Sequence, residues 1–541
     1  MKFLKIKKYL PEIILFLIFF LFSWWLMWHT FNYKNGVILI AAKAWSDFGS
    51  SIPLIRSFSW GKNWPPEYPL FPGEPIKYHF LFYLLVGLLE KIGLPLSWAL
   101  NLPSLLGFFG LLVIIYKLAD LLFEKKSVAL LAVIFFLFNS SLSFLEFFKK
   151  YPLSWQTLTQ IIENKSFPSF GPYDGKTVSA FWNLNIYTNQ RHLAAAYFLI
   201  LFIVYLLLKA IKTEKPISIS KIFFLGLIFG LLPFFHKVAF AMTGIILASF
   251  FLYFPKIRKS VFFVFIISSV LALPQLVYQL RGSLPSFSFH LGYLISYPLT
   301  YKKFYSYWFL NLGLSLILIP AGFLLANTIA KKLFLTILPL FLIGNLFQFS
   351  PEIAGNHKFF NFFIIIGNML SAWAIYLLWQ KKILGKILTP IFVLLMIFSG
   401  IIDFFPVKND FMYAINDAPK NPDIAWIKNN TPPDAVFLNS SFLYHPASLS
   451  GRKIFLGWPY FSWSAGYNTD KRYNLMKTVW AATNKNEVCL LLVNNHIDSV
   501  VLEEKSPDFP INIQFWKDNF QASYKKNDNS FIIYNVRQNC D

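Results

Sequence analysis

The sequence predicts an α-helical polytopic membrane protein, with about eleven spans, outer juxtamembrane helices and a carboxyl-terminal extracytoplasmic α/β domain. Three observations predict it. Of the 541 residues, 56% are hydrophobic and 14% charged, where a soluble chain carries about 25% charge. Apolar runs of near-spanning length, rich in the 63 Phe, recur along most of the chain. Beyond Asp403 those runs shorten while Asp, Asn and Pro rise, as they do in a segment that folds in water.

The chain opens with a basic stretch, Lys2 to Lys8, and an apolar run at 14–28. No small-residue cleavage site follows, and Trp24, Trp25 and Trp28 close the run as an interface belt, so it reads as a retained first span. An outer loop follows at about 30–97. It holds the polar stretch from Trp45 to Arg56, a proline-rich piece from Trp64 to Pro69, and an apolar helix at 76–93 led by Tyr78-His79. That helix is short for a span and is expected in or near the outer interface. Further spans are expected at 98–118, 128–146, 192–210, 218–236, 238–255, 259–278, 307–328, 333–349, 359–379 and 384–402.

Charge fixes the expected orientation. Lys117/Lys125/Lys126, Lys209/Lys212/Lys215, Lys256/Arg258/Lys259, Lys331/Lys332 and Lys381/Lys382/Lys386 all fall in the loops that this count places inside. The amino terminus is then cytoplasmic and the carboxyl end outside, in a plasma membrane. The formal charge of +23 is accounted for by these topogenic clusters and implies no nucleic-acid partner. A membrane domain at 1–405 and an outer domain at 406–541 follow. Within the latter, a helix from Asn421-Pro422-Asp423 to Asn429-Asn430 precedes a strand at 435–438, and pieces at 490–493, 499–502 and 531–534 give a mixed α/β pattern. Cys489 and Cys540 have no metal-ligand spacing, and their pairing stays open.

The same topology gathers polar residues on the outer face. Asp47, Arg56, Glu67, Glu74, Tyr78 and His79 lie in the first outer loop. Asn189-Gln190-Arg191-His192 stand where a span meets the outer surface, His236-Lys237 fill a tight outer turn, His290 follows in a loop, and Asn356-His357-Lys358 precede a late span. Ionisable groups at the edge of hydrocarbon persist where they face a cavity and find partners. Cations around one carboxylate suit an anionic, lipid-anchored substrate: Arg and Lys would hold phosphate, and Asp47 would deprotonate an acceptor. The structural alternatives are interface anchoring for Arg191, Lys237 and Lys358, and plain hydrogen bonding for His236 and His290.

These residues carry a resemblance. A basic start, one span, an outer loop with an early acid, the proline-rich piece, the helix led by Tyr78-His79, and Asn101-Leu102-Pro103-Ser104-Leu105-Leu106-Gly107 opening a span together resemble the GT-C superfamily. Its members are membrane glycosyltransferases that use polyprenyl-phosphate sugars, and the likeness is to the protein O-mannosyltransferase and aminoarabinose-transferase branches (glycosyltransferase family 39-like). It runs over most of residues 1–405. It implies a GT-C-like fold, Asp47 at the place of the catalytic acid, acting as general base or as acceptor positioner, and inverting transfer from a polyprenyl-phosphate-linked sugar to a glycan, lipid or protein acceptor. Arg191, Lys237 and Lys358 become candidates for the carrier phosphate; Arg56, Glu67, Tyr78, His79, Asn189, His192, His236, Asn356 and His357 complete the expected substrate-binding set. Many relatives have a second acid after the first, whereas Phe48 follows here, so no metal or other cofactor is expected. The rival readings are a flippase or transporter of lipid-linked sugars, against which the nearly charge-free mid-spans and absent repeat weigh, and a non-enzymatic membrane protein that binds cell-envelope polymer.

Overall fold

Polar groups decide where the helices of this chain stop and bend. The computed structural model describes residues 2–169, 177–281, 287–504 and 508–540; the side chains of the basic start, Lys2 to Lys8, lie outside the described residues. Two compact units result. The first comprises Met1–Thr30, Leu102–Gln275 and Phe287–Phe411, and the second Phe31–Asn101, Leu276–Ser286 and Met412–Asp541.

Among the described residues seven helices are long and apolar enough to cross a membrane: Tyr9–Thr30, Leu96–Phe123, Arg191–Thr213, Pro255–Leu280, Thr328–Leu346, Ile353–Trp379 and Ile383–Lys408. Lipid-facing stripes show why they are apolar all round. On the first helix Ile13, Ile14, Leu17, Ile18 and Leu21 are exposed at helical spacing, and on Arg258–Leu280 so are Phe262, Phe263, Ile266, Val270, Leu273 and Val277. Water would penalise such faces and hydrocarbon does not, so the chain is a multi-pass membrane protein.

The expected eleven spans are not all matched by helices of full spanning length, because several of the runs are broken or short. The run at 307–328 is a pair of helices, Tyr301–Leu312 and Ser315–Leu325, bent by 83°; counted as one span it makes eight. The runs at 128–146, 218–236 and 238–255 hold shorter apolar helices, Lys126–Leu137, Ile219–Phe235 and Lys237–Tyr253, about 18–26 Å long at 1.5 Å per residue. The first of them stops because Asn139 turns its amide oxygen onto the Ser141 N–H (3.2 Å) and hydroxyl (2.5 Å), an alternative to helix that Asn and Ser favour. Gly313 makes the bend. Its φ is +51°, and a Cβ there would stand 1.9 Å from the Ser140 carbonyl oxygen. The two breaks then satisfy each other: Leu142 N–H donates to Leu310 O (2.8 Å), and Ser140 Oγ to Leu312 O (2.8 Å). Asn139 Nδ2 reaches the Asp403 carboxylate (2.8 Å).

In the second unit the segment after the first helix is built together with the carboxyl-terminal segment. Phe31–Lys34, Val37–Ala41 and Met412–Asn416 form one antiparallel sheet with Leu39 opposite Ala414. A five-stranded sheet runs in the order Tyr524–Lys525, Phe531–Asn535, Ser499–Glu503, Val436–Leu438, Lys453–Ile454, parallel among the last three. Its edge meets the proline-rich piece, where Ile454 N–H donates to Pro69 O (2.9 Å) and Gly457 N–H to Leu70 O (2.8 Å). The expected boundary at 405 therefore moves: residues 31–101 belong with the carboxyl-terminal part, because ladder bonds tie them to it. Cys489 and Cys540 pair as a disulfide.

Helix Trp45–Ser59 lies against helix Leu81–Lys91, close enough at Gly87 that a Cβ would meet Ile55 O at 2.8 Å. The latter helix has 11 residues, buries Phe82, Tyr83, Val86 and Glu90, and exposes Leu85 and Leu88. It is too short to span, as the sequence led us to expect.

Gly313→Ala is expected to destabilise the chain by about 2 kcal/mol or more, through overpacking and a left-handed backbone. Gly244→Ala, whose Cβ would meet only Phe229 at 3.7 Å, should be neutral. Thermal midpoints of the detergent-purified variants separate the two.

Candidate functional site

Three helices of the first unit begin at one place. Arg191–Thr213, Lys237–Tyr253 and His357–Trp379 carry no acid in their first turns. The His192 and His236 rings stand 5.2 Å apart, and the Lys358 ammonium is near enough to act electrostatically on His192, His236 and His357. Helix amino termini carry partial positive charge from their unpaired N–H groups. Lys237 and Lys358, both half-buried, add full charges. Such a set attracts an anion, above all a phosphate.

Local chemistry fixes each member. His236 is extended backbone between two helices, and its Nδ1 accepts the Ala239 N–H (3.2 Å) as a helix cap. Asn356 ties the turn before its helix to Gly344 O (2.9 Å) and Phe347 O (2.6 Å). Asn361 donates Nδ2 to Phe181 O (2.8 Å), which turns its Oδ1 to His357 Nδ1 (2.7 Å). His357 Nδ1 is thus the protonated nitrogen, and Nε2 faces Lys358 Nζ and Gln190 Nε2, each at 3.4 Å, as acceptor. Asn189 is half-buried and accepts from the Thr188 hydroxyl (3.3 Å).

Asp47 belongs to the second unit. It stands half-buried in the first turn of helix Trp45–Ser59, where a carboxylate complements the helix dipole. Its charge acts on three phenols, Tyr78, Tyr83 and Tyr444. Burial first, and then neighbouring groups including Asp47, hold all three hydroxyls above the usual tyrosine range, so they remain protonated donors. Ser51 Oγ donates to Tyr83 Oη (3.3 Å), Tyr78 stacks on His79 (3.9 Å), and the Tyr444 hydroxyl donates to Trp45 O. The result is a carboxylate among phenols and aromatic faces, suited to grip a hydroxyl-bearing or amine-bearing molecule. Phe48, the next residue, packs on Phe31 at 5.0 Å and supplies no second acid.

Three expected substrate ligands have other work. Arg191 is buried, and its guanidinium closes on Thr188 O (2.8 Å), Met27 O (3.3 Å) and Thr30 Oγ1 (2.8 Å), which clamps the end of the first span. Arg56 is buried between Asp417 (2.6 Å) and Glu90 (3.3 Å) and lies over the Trp60 ring (3.3 Å). Glu67 pairs with Lys453 (2.6 Å). Apolar surroundings drive Arg56 and Glu67 to the opposite charge within reach, and Arg191 to neutral oxygen acceptors. His290 bonds Tyr293 O (2.8 Å) and is structural. Sequence reasoning missed Tyr83, Tyr444 and Asn361. Asn361 was findable, four residues after His357 on one helix face; nothing in the sequence marks Tyr444.

No family model matches the sequence, and no curated protein matches it. Solved structures do match in fold. The Archaeoglobus fulgidus oligosaccharyltransferase in its apo form aligns over 90% of this chain and 69% of its own, at 12% identity and TM-score 0.51. The same enzyme tethered to an acceptor peptide aligns over 98% and 74%, again at 12% identity and TM-score 0.51. ArnT from Cupriavidus metallidurans aligns over 97% and 98%, at 10% identity and TM-score 0.49. At these identities the likeness is one of fold alone.

The buried ion cluster sets a pH dependence. Asp417 holds the shorter contact to Arg56, and burial raises the Glu90 carboxyl above its usual 4.5. A raised acid binds its proton more tightly folded than unfolded, so its contribution is full below 4.5 and is lost as pH rises through the folded value. Thermal midpoints should therefore fall from mildly acidic to neutral buffer, and Glu90→Gln should flatten that slope. Arg56→Ala, which leaves two buried carboxylates unpaired, should cost about 3–5 kcal/mol. A slope of the opposite sign in the parent would overturn this reading.

Proposed function

We propose that this chain is an integral-membrane glycosyltransferase that moves a sugar from a polyprenyl-phosphate carrier to an extracytoplasmic acceptor with inversion. The observation that carries the proposal is the meeting of three helix amino termini with Lys358, His192, His236 and His357 in a chain whose fold is like that of the oligosaccharyltransferase. In this scheme Lys237 and Lys358 take the carrier phosphate, whose negative charge grows as the anomeric C–O bond breaks. Asp47 takes the proton of the acceptor hydroxyl or amine as its lone pair attacks the anomeric carbon from the opposite face. Tyr78, Tyr83 and His79 orient that acceptor. The phosphate leaves on the lipid, and the sugar ends with inverted configuration.

Orientation follows the basic loops. In this proposal the basic loops and the amino terminus lie in the cytoplasm, and the helix starts that carry the cation cluster face outward. The acceptor class, whether glycan, lipid or protein, is set by the surroundings of Asp47. No divalent metal enters the scheme, since the position after Asp47 is an aromatic packed on Phe31.

The test supplies radiolabelled polyprenyl-phosphate sugars to the purified protein with envelope extract as acceptor. Asp47→Asn should lower transfer by at least about 100-fold, the scale of a lost general base. Lys358→Gln should weaken it roughly 10–100-fold through the leaving phosphate. Equal transfer by parent and Asp47→Asn would remove the mechanism, and passage of the lipid-sugar across liposomes without transfer would make the chain a transporter. Dialysis against a chelator should leave the rate unchanged; loss restored by a divalent ion would overturn the metal-free scheme alone.

A further inference from the structure

The opposite end of the first unit gathers a second set of charges. There Lys212 Nζ pairs with Glu124 (2.6 Å), Asn327 Nδ2 donates to Leu122 O (2.7 Å), and Lys256 pairs with Glu214 (2.6 Å), so the loops after three helices and before two others meet. Between the carboxyl ends of Leu96–Phe123 and Arg191–Thr213 and the start of Thr328–Leu346 lies a cavity of about 450 Å³. Leu121, Phe123, Leu208 and Ile329 form its apolar wall, and Lys212 and Thr328 are among its polar lining. None of these residues serves the scheme above.

Charge and shape together identify an occupant. Lys331 and Lys332 stand in the opening residues of helix Thr328–Leu346, whose first turn holds no acid. Cations at a helix amino terminus oppose the dipole, and an anion bound beside them relieves both. Lys125 and Lys126 repeat the pattern at the start of Lys126–Leu137. Glu124 is the one acid lining the cavity. Its side chain is 74% exposed against 28% for Lys212, so the pair is a surface one of little strength and Glu124 can swing away. A bare inorganic anion would have no use for the apolar wall. A phosphate with hydrocarbon attached uses both.

We propose that this cavity binds the phosphodiester headgroup of an acidic phospholipid. Lys212 pairs with the phosphate, the opening N–H groups and the Thr328 hydroxyl donate to its oxygens, and the glycerol and first acyl carbons lie on Leu121, Phe123 and Ile329. The site is independent of the glycosyl-transfer proposal and survives its failure.

The experiment is native mass spectrometry of the detergent-purified full chain with short-chain phosphatidylglycerol, phosphatidylcholine or inorganic phosphate added. Phosphatidylglycerol should be retained over phosphatidylcholine by about tenfold, and Lys212→Gln should lower its retention about fivefold, the scale of one lysine at an anionic lipid. Ile329→Trp, which fills the cavity without changing charge, should lower it as well. The pair Lys381→Gln/Lys382→Gln, which removes two charges exposed in another loop of the chain, should leave it unchanged. Equal retention of the two lipids overturns the proposal. So does displacement of phosphatidylglycerol by inorganic phosphate, which would mark a free-anion site, and so does an equal loss in the Lys381/Lys382 pair, which would mark diffuse surface charge. Should Ile329→Trp fail to fold, Lys212→Gln and the control pair still decide.

Discussion

Hydrocarbon offers no hydrogen bonds, and a polar group buried in the bundle must therefore find its partner inside it. The first unit is arranged around that constraint. Asn139 ends one helix and reaches Asp403, Ser140 caps the broken pair at Gly313, and Asn368 donates to Phe135 O (2.9 Å). Each bond joins helices far apart in sequence, so the polar residues act as register pins in a bundle whose apolar side chains alone would slide.

The same constraint gives the histidine cluster its form. A helix start surrenders N–H donors that lipid cannot satisfy, and gathering three such starts concentrates those donors in one place. His236 and Asn361 are then capping and orienting groups as much as site residues, since one closes a helix and the other fixes the His357 tautomer. Fold and electrostatic function are one arrangement here. A substitution that loosens a cap also moves the charge.

Much of this was legible. Apolar runs located the helices, and Asn, His and Lys at run ends marked helix starts, some of which the structure brings together, because hydropathy and helix ends are local properties. The breaks were not legible: Asn139-Ser140-Ser141 and Gly313 look like tolerable interruptions until each is seen to need the other. Arg56 and Arg191 were read as substrate ligands because an arginine near an outer surface looks the same whatever it pairs with. Their partners, Asp417 and the Met27 carbonyl, lie 361 and 164 residues away, beyond any local pattern. Tyr83 and Tyr444 were invisible for the same reason.

The sheet that joins Val37–Ala41 to Met412–Asn416 has a bearing on biogenesis. The earlier strand leaves the ribosome while every later membrane helix is still unmade. Until the last quarter of the polypeptide arrives, it presents an open edge to whatever chaperone or neighbouring chain is at hand. A nascent product halted before Met412 would keep its helices and lack the partner for that edge, which makes completion of translation itself the checkpoint for maturation of the Asp47-bearing unit.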